Sequence, residues 1–161
     1  MNAKPVSQSQ VTMTELVLPS HTNSLGTIFG GTIMSWVDIA AAICAQRHSQ
    51  KQVVTAHLDD LEFVAPVYKG WVVNLKASVN FTGSSSMEVG VRVDAENPST
   101  NETFHTATAY LTFVALDSHG KPTKVPPIDP QTETEKRRHK AAEARRAHRL
   151  KTRAAREAEK N

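Results

Sequence analysis

Apolar and polar side chains alternate from Val11 to Leu18, with Val11, Met13 and Val17 on one side and Thr12 and Thr14 on the other. This is the period of a strand, and Pro19 ends it. A turn-forming stretch follows from Ser20 to Gly26. The period then changes. From Phe29 to Ala45 the chain is rich in alanine and carries apolar residues at nearly every helical angle, which predicts a buried helix. Gly30-Gly31 frees the chain to turn into it. The run Arg47, His48, Ser49, Gln50, Lys51 is expected to end it in solvent, with cations at the favourable C-terminal pole. Four long segments rich in Val, Thr and aromatics follow, at 53–67, 71–81, 87–95 and 103–116. The turn clusters between them are too short for parallel crossovers, so the strands are antiparallel. The predicted class is α+β: one long buried helix packed on a strongly curved antiparallel sheet.

The ends of the chain read differently. Residues 1–10 are polar and expected to be a flexible N-terminus. Pro122, Pro126, Pro127 and Pro130 close the body, residues 11–130. Residues 131–161 form a charged helical extension whose only large apolar residue is Leu150; such a helix cannot pack as core and is expected to be solvated or partner-facing.

Charge divides along the same line. The 161 residues carry a net +3, but the segment from Gln131 holds 11 Lys/Arg and 5 Glu, so the body is net negative at −3. A basic nucleic-acid-binding body is excluded, and the tail has no aromatic residue for base stacking, so nucleic acid is not an expected partner. No apolar run approaches the ~18 residues that span a bilayer. The first 20 residues hold one Lys and no Arg, with no leader pattern, and Cys44 is the only cysteine. A cytoplasmic setting without disulfides is expected.

The candidate chemistry centres on Asp38, the only acid between Thr27 and Gln46. A carboxylate in an apolar helix is either structural, bonded to a neighbouring loop, or functional. The helix start favours the second reading. Free N–H groups at Gly30 and Gly31 form a site for developing negative charge, and Asn23 on the preceding loop offers an amide to a carbonyl oxygen or a water. Carboxylate, oxyanion site and amide together suggest acyl transfer to water. Gly30 and Asp38 lie about 12 Å apart along one helix at ~1.5 Å per residue, so one carbonyl carbon cannot touch both. A dimer resolves this, with Asn23 and Gly30 of one chain facing Asp38 of the other. Thr55 and Asp60 are further candidates to line the site. Asp59, Asp60 and Glu62 are otherwise expected to face solvent or a subunit interface. Cys44 reads as a small buried thiol rather than a nucleophile. The seven histidines lack metal-ligand spacing, so no metal is expected.

The run His21-Thr22-Asn23-Ser24-Leu25-Gly26-Thr27-Ile28-Phe29-Gly30-Gly31-Thr32-Ile33-Met34, followed by Ser35-Trp36-Val37-Asp38, resembles hotdog-fold acyl-CoA thioesterases, both bacterial acyl-CoA hydrolases and the repeated domains of brain acyl-CoA hydrolase. The likeness continues through Asp60-Leu61-Glu62-Phe63-Val64-Ala65-Pro66 and Phe81-Thr82-Gly83-Ser84-Ser85-Ser86 and covers the chain from Val11 onward. The resemblance implies a long helix wrapped by an antiparallel sheet and hydrolysis of a fatty acyl-CoA to free acid and CoA. It implies catalytic roles for Asn23 and Asp38, and an oxyanion role for the Gly30/Gly31 amides. Dimers assembling further, commonly as a trimer of dimers, are also implied. Phe29 departs from the His that many relatives carry there. CoA is part of substrate and product, and no separate cofactor is expected. The Gly83-Ser84-Ser85-Ser86 turn and Lys121 are candidates to hold its pantetheine or phosphates. A purine nucleotide is a further expected ligand. The rival reading is a non-catalytic acyl-CoA-binding sensor of the same fold, with nucleic-acid binding through the tail as a more distant one.

Overall fold

Val73, Leu75, Ala77 and Val79 alternate with partly or fully exposed neighbours, and all four are buried. The same two-residue period buries Met87, Val89, Val91, Val93 and Ala95, then Ala107, Ala109, Leu111, Phe113 and Ala115. Side chains two apart share one face of a pleated strand, so the three rows form a continuous apolar floor. In the computed structural model, which describes residues 1–160, these rows lie in β4 (Val72–Thr82), β5 (Ser86–Asn97) and β6 (Glu102–Leu116). With β2 (Val11–Leu16) and β3 (Gln52–Phe63) they form a five-stranded antiparallel sheet of order β2-β4-β5-β6-β3. The long helix α1 (Gly30–Ser49) lies on the floor and touches all five strands. It does so through a narrow side chain set: Ile33, Trp36 and Val37, then Ala40, Ala41, Cys44 and Ala45. The expected class, α+β with one helix wrapped by an antiparallel sheet, is the observed one.

The helix is not buried all round. Met34 and Ile39 stay 43% and 48% exposed. One side of α1 packs on the sheet and the other stands open. Leu58 and Phe63, on edge strand β3, are exposed as well.

Three terminal expectations are corrected. First, α1 ends within the run from Arg47 to Lys51, but that end is not wholly in solvent. It runs to Ser49, Gln50 closes it in the left-handed conformation (φ 56°), and His48 is fully buried. The N-terminus supplies the cover: Lys4 Nζ donates to the carbonyls of Arg47 and His48 at 3.1 and 2.8 Å, satisfying acceptors a helix end leaves free. Second, residues 1–10 are therefore not a loose end. β1 (Lys4–Pro5) pairs with β7 (Ile128–Asp129), and Val6 and Ser9 are buried. Third, the C-terminal helix α2 (Glu133–Glu159) is not wholly solvated. Its N-terminus carries a capping box between Thr132 and Glu135, and Ala142 is buried. It docks on the outer face of the sheet through charge. Arg145 donates to both oxygens of Glu88, at 2.6 and 3.2 Å, and its guanidinium lies 3.7 Å over the Tyr110 ring. Glu88 is only 2% exposed, so the sequence signal sought, an apolar stripe, was the wrong one: this helix docks by paired arginines.

Two predictions follow from these contacts. Replacing Arg145 by Met leaves buried Glu88 with only the more distant Arg149 as counter-charge, which costs about 3 kcal/mol and lowers the urea midpoint of unfolding. His48 sets a pH dependence. Burial holds its imidazole below the ordinary value, the Lys4 ammonium adds to this, and the Pro126 carbonyl at 2.7 Å opposes it. The neutral form is therefore the folded form, and its stabilisation is complete above the ordinary value of about 6.5 and lost as pH falls below it. Thermal melts from pH 8 to pH 5 should show the margin of wild type over His48→Gln shrinking on acidification.

Candidate active site

Asp38 lies on the open side of α1, one turn beyond Met34 and next to Ile39, and is partly buried. The helix fixes its direction, and β3 supplies its partner. Thr55 Oγ1 donates to Asp38 Oδ1 at 2.7 Å. Two residues singled out separately in the sequence thus meet. Asp38 Oδ2 accepts no hydrogen bond among the described residues. The carboxylate is held by one oxygen and free at the other.

The start of α1 is open electrically. No side chain caps it and no acid sits in its first turn. The Thr32 amide donates back to the Phe29 carbonyl at 2.9 Å, whereas Gly30 and Gly31 have no helical carbonyl behind them to donate to. Only at Gly31 is space short. A Cβ on Gly31 would stand 2.6 Å from Phe29 Cε1, and one on Gly30 3.6 Å from the Phe63 ring. Two phenyl rings, not a side chain of their own, therefore border the paired amides. A groove of about 350 Å³ opens beside them, lined by Thr27, Gly30, Ile33, Phe63, Val64 and Pro66 among others. Val64 to Val67 were read as a continuation of the strand; β3 ends at Phe63, and the segment beyond it, with Pro66, forms a wall of this groove instead.

Asn23 makes no hydrogen bond to Asp38 within one chain. Its Oδ1 accepts from the amides of Leu25 and Thr27 at 2.9 and 3.3 Å, and its Nδ2 donates to Thr27 Oγ1 at 2.9 Å. These bonds set the turn and fix the side chain. An amide nitrogen carries two hydrogens, so one is left for another acceptor. Thr27 was not singled out in the sequence, and no periodic signal marks it. His21 is tied to the same loop, its Nδ1 accepting from the Leu18 amide, with its ring edge-on to Trp36 at 5.1 Å.

The remaining candidates fall elsewhere. Asp60 sits in an irregularity of β3 with φ 46° and makes no side-chain hydrogen bond among the described residues. Gly83, Ser84, Ser85 and Ser86 form the turn from β4 into β5 and its first residue. The Ser85 carbonyl accepts from the Ala115 amide and the Ser84 carbonyl from the Val125 amide, so this turn abuts the segment that carries Lys121. Lys121 itself closes a turn with Asp117 through both backbone groups. Cys44 is fully buried, and burial pushes its thiol up to about 12, which removes it as a nucleophile at neutral pH.

Comparison with known proteins agrees with this architecture. Residues 25–101 match the model of the thioesterase superfamily. An uncharacterized acyl-CoA thioester hydrolase of Bacillus subtilis is 44% identical over 135 residues, covering 84% of this chain and 78% of that protein. Some relatives are longer: the chain spans about a quarter (24%) of mouse acyl-coenzyme A thioesterase 11. Among solved structures, an apo-hexameric acyl-CoA thioesterase superposes with a TM-score of 0.92 at 44% identity, covering 96% of this chain and 99% of that one. The acyl-CoA hydrolase of Staphylococcus aureus, in complex with butyryl coenzyme A and coenzyme A, gives 0.87 at 37% identity, covering 99% of each chain. That enzyme has also been solved as variants in which one Asp, one Asn or one Thr is replaced by Ala. No helix of the described residues is long and apolar enough to cross a membrane. Sheet order, central helix and sequence likeness over most of the chain agree: the chain belongs to the thioesterase superfamily, among its hotdog-fold acyl-CoA thioester hydrolases.

Proposed function

We propose that the chain hydrolyses fatty acyl-CoA at a site completed by a second copy, with Asp38 as the reacting carboxylate. The 2.7 Å bond from Thr55 to Asp38 carries this reading. It orients one carboxylate oxygen and leaves the other free for a water. The substituted Asn, Asp and Thr of the Staphylococcus aureus hydrolase are spaced 15 and 17 residues apart, the spacing of Asn23, Asp38 and Thr55 here.

In the proposed reaction the thioester carbonyl accepts from the Gly30 and Gly31 amides, whose dipolar helix start stabilises the developing oxyanion. Asp38 takes a proton from water as the water oxygen bonds to the carbonyl carbon. Collapse of the tetrahedral adduct breaks the C–S bond, and the CoA thiolate leaves and is protonated. Direct attack by Asp38 to give an anhydride is the alternative route; single-turnover reaction in ¹⁸O water separates them, since label enters Asp38 only on that route. Asn23 orients the water or the carbonyl with its remaining N–H. Two copies are needed because Gly30 and Asp38 stand about 12 Å apart on one helix. The exposed Met34, Ile39 and Leu58 around Asp38 give a second copy an apolar seat, and a hexameric relative exists. The turn at Gly83, Ser84, Ser85 and Ser86, with Lys121 on the adjoining segment, is assigned to the phosphates and pantetheine of CoA. Asp60 is assigned to the rim of the site.

A thiol-release assay across acyl-CoA lengths tests the assignment. Asp38→Ala should lose about 10³-fold in kcat and Thr55→Ala about tenfold; an Asp38→Ala enzyme at the wild-type rate refutes it. Mixing Asn23→Ala with Asp38→Ala chains should restore part of the activity, since a hybrid dimer holds one intact site. Confirmed hybrids without activity refute the shared site.

A further inference from the structure

Thr55, His57 and Asp59 belong to one strand, and in a regular strand all three side chains share a face. They do not share one here. Thr55 stands opposite Phe113, but His57 stands opposite Thr112, because the register slips at Ala56. Phe113 is a core residue, so Thr55 lies on the helix side and reaches Asp38. His57 and Asp59, opposite Thr112 and Tyr110, lie on the outer side beneath α2. The extra residue at Ala56 is what turns Thr55 inward while its neighbours turn out. Bulges next to reactive sites re-aim side chains in this way.

Something must hold that slip. Within one chain β3 hydrogen-bonds to β6 alone, and a one-residue shift of a strand reverses every side chain. The outer face of the same chain supplies a further hold. His57 Nε2 pairs with Asp59 Oδ1 at 2.6 Å, and Arg149 Nη1 of α2 donates to Asp59 Oδ2 at 2.7 Å. Arg149 also stands 3.9 Å from Glu88 Oε2, one helical turn beyond Arg145, which grips the same carboxylate. The C-terminal helix thus ties the slipped segment of β3 to the middle of the sheet.

We propose that Arg149, acting through Asp59 and His57, is a positioning residue for the Thr55–Asp38 pair, so that the charged C-terminal helix serves catalysis without touching substrate. This rests on the catalytic reading of Asp38 and Thr55 above. A loss of alignment of about 1 Å is enough to slow an enzyme markedly. In steady-state assays of the full chain, Arg149→Ala should lower kcat about tenfold and change KM by less than about twofold, with Arg149→Lys recovering most of the rate. Asp59→Asn, which keeps the side-chain shape, should show the same split and serves if Arg149→Ala fails to fold. In a Thr55→Ala background, Arg149→Ala should add no further loss. Wild-type kcat in Arg149→Ala with only a lower melting temperature overturns the proposal, as does full multiplication of the two losses. Wild-type kcat in Thr55→Ala alone instead overturns the catalytic reading of Thr55, a separate result.

Discussion

The structure depends on a helix that meets its sheet through small side chains. Ala40, Ala41, Cys44 and Ala45 are all fully buried against the strands, and His48, at the very end of α1, is the one large side chain fully buried in that half. Close contact along one side fixes the rotation of the helix. Met34, Asp38 and Ile39 are then committed to the opposite side. The position of the Asp38 carboxylate is thus a by-product of core packing, and it is set among exposed apolar residues rather than on a polar surface.

The sheet performs two tasks with its two faces. Its inner face is almost wholly apolar, mainly Val and Ala, and serves burial except where Thr55 reaches Asp38. Its outer face carries Glu88, Tyr110, Asp59 and Arg92, and receives α2 through arginine. Glu88 is as buried as the core residues beside it, and pairing with Arg145 makes that tolerable. Ion pairing of this kind gives a highly polar helix a defined seat.

Much of this was legible in the sequence for a physical reason. Period-two rows of Val and Ala mark buried strands, and short turns force antiparallel order, so the sheet was readable. Asp38 stood out because an acid in an alanine-rich helix is anomalous, and the structure pairs it with Thr55. What escaped were contacts without a periodic signature. Lys4 on the end of α1 and Arg145 on Glu88 join residues 43 and 57 positions apart, and nothing local announces either. The burial of His48 follows from the first of these, which is why a basic run looked like a solvent-exposed helix end. The end of the strand at Phe63 was hidden by its own apolar continuation, Val64 to Val67, which serves the groove rather than the ladder.

Phe29 and Gly31 have a consequence for how this chain can vary. The ring of Phe29 occupies the space that a methyl on residue 31 would need, and that ring is largely exposed. A larger residue at 31 therefore meets an exposed phenyl group rather than the core. A change at one position is absorbed at the other, so 29 and 31 form one steric unit at the exposed start of α1.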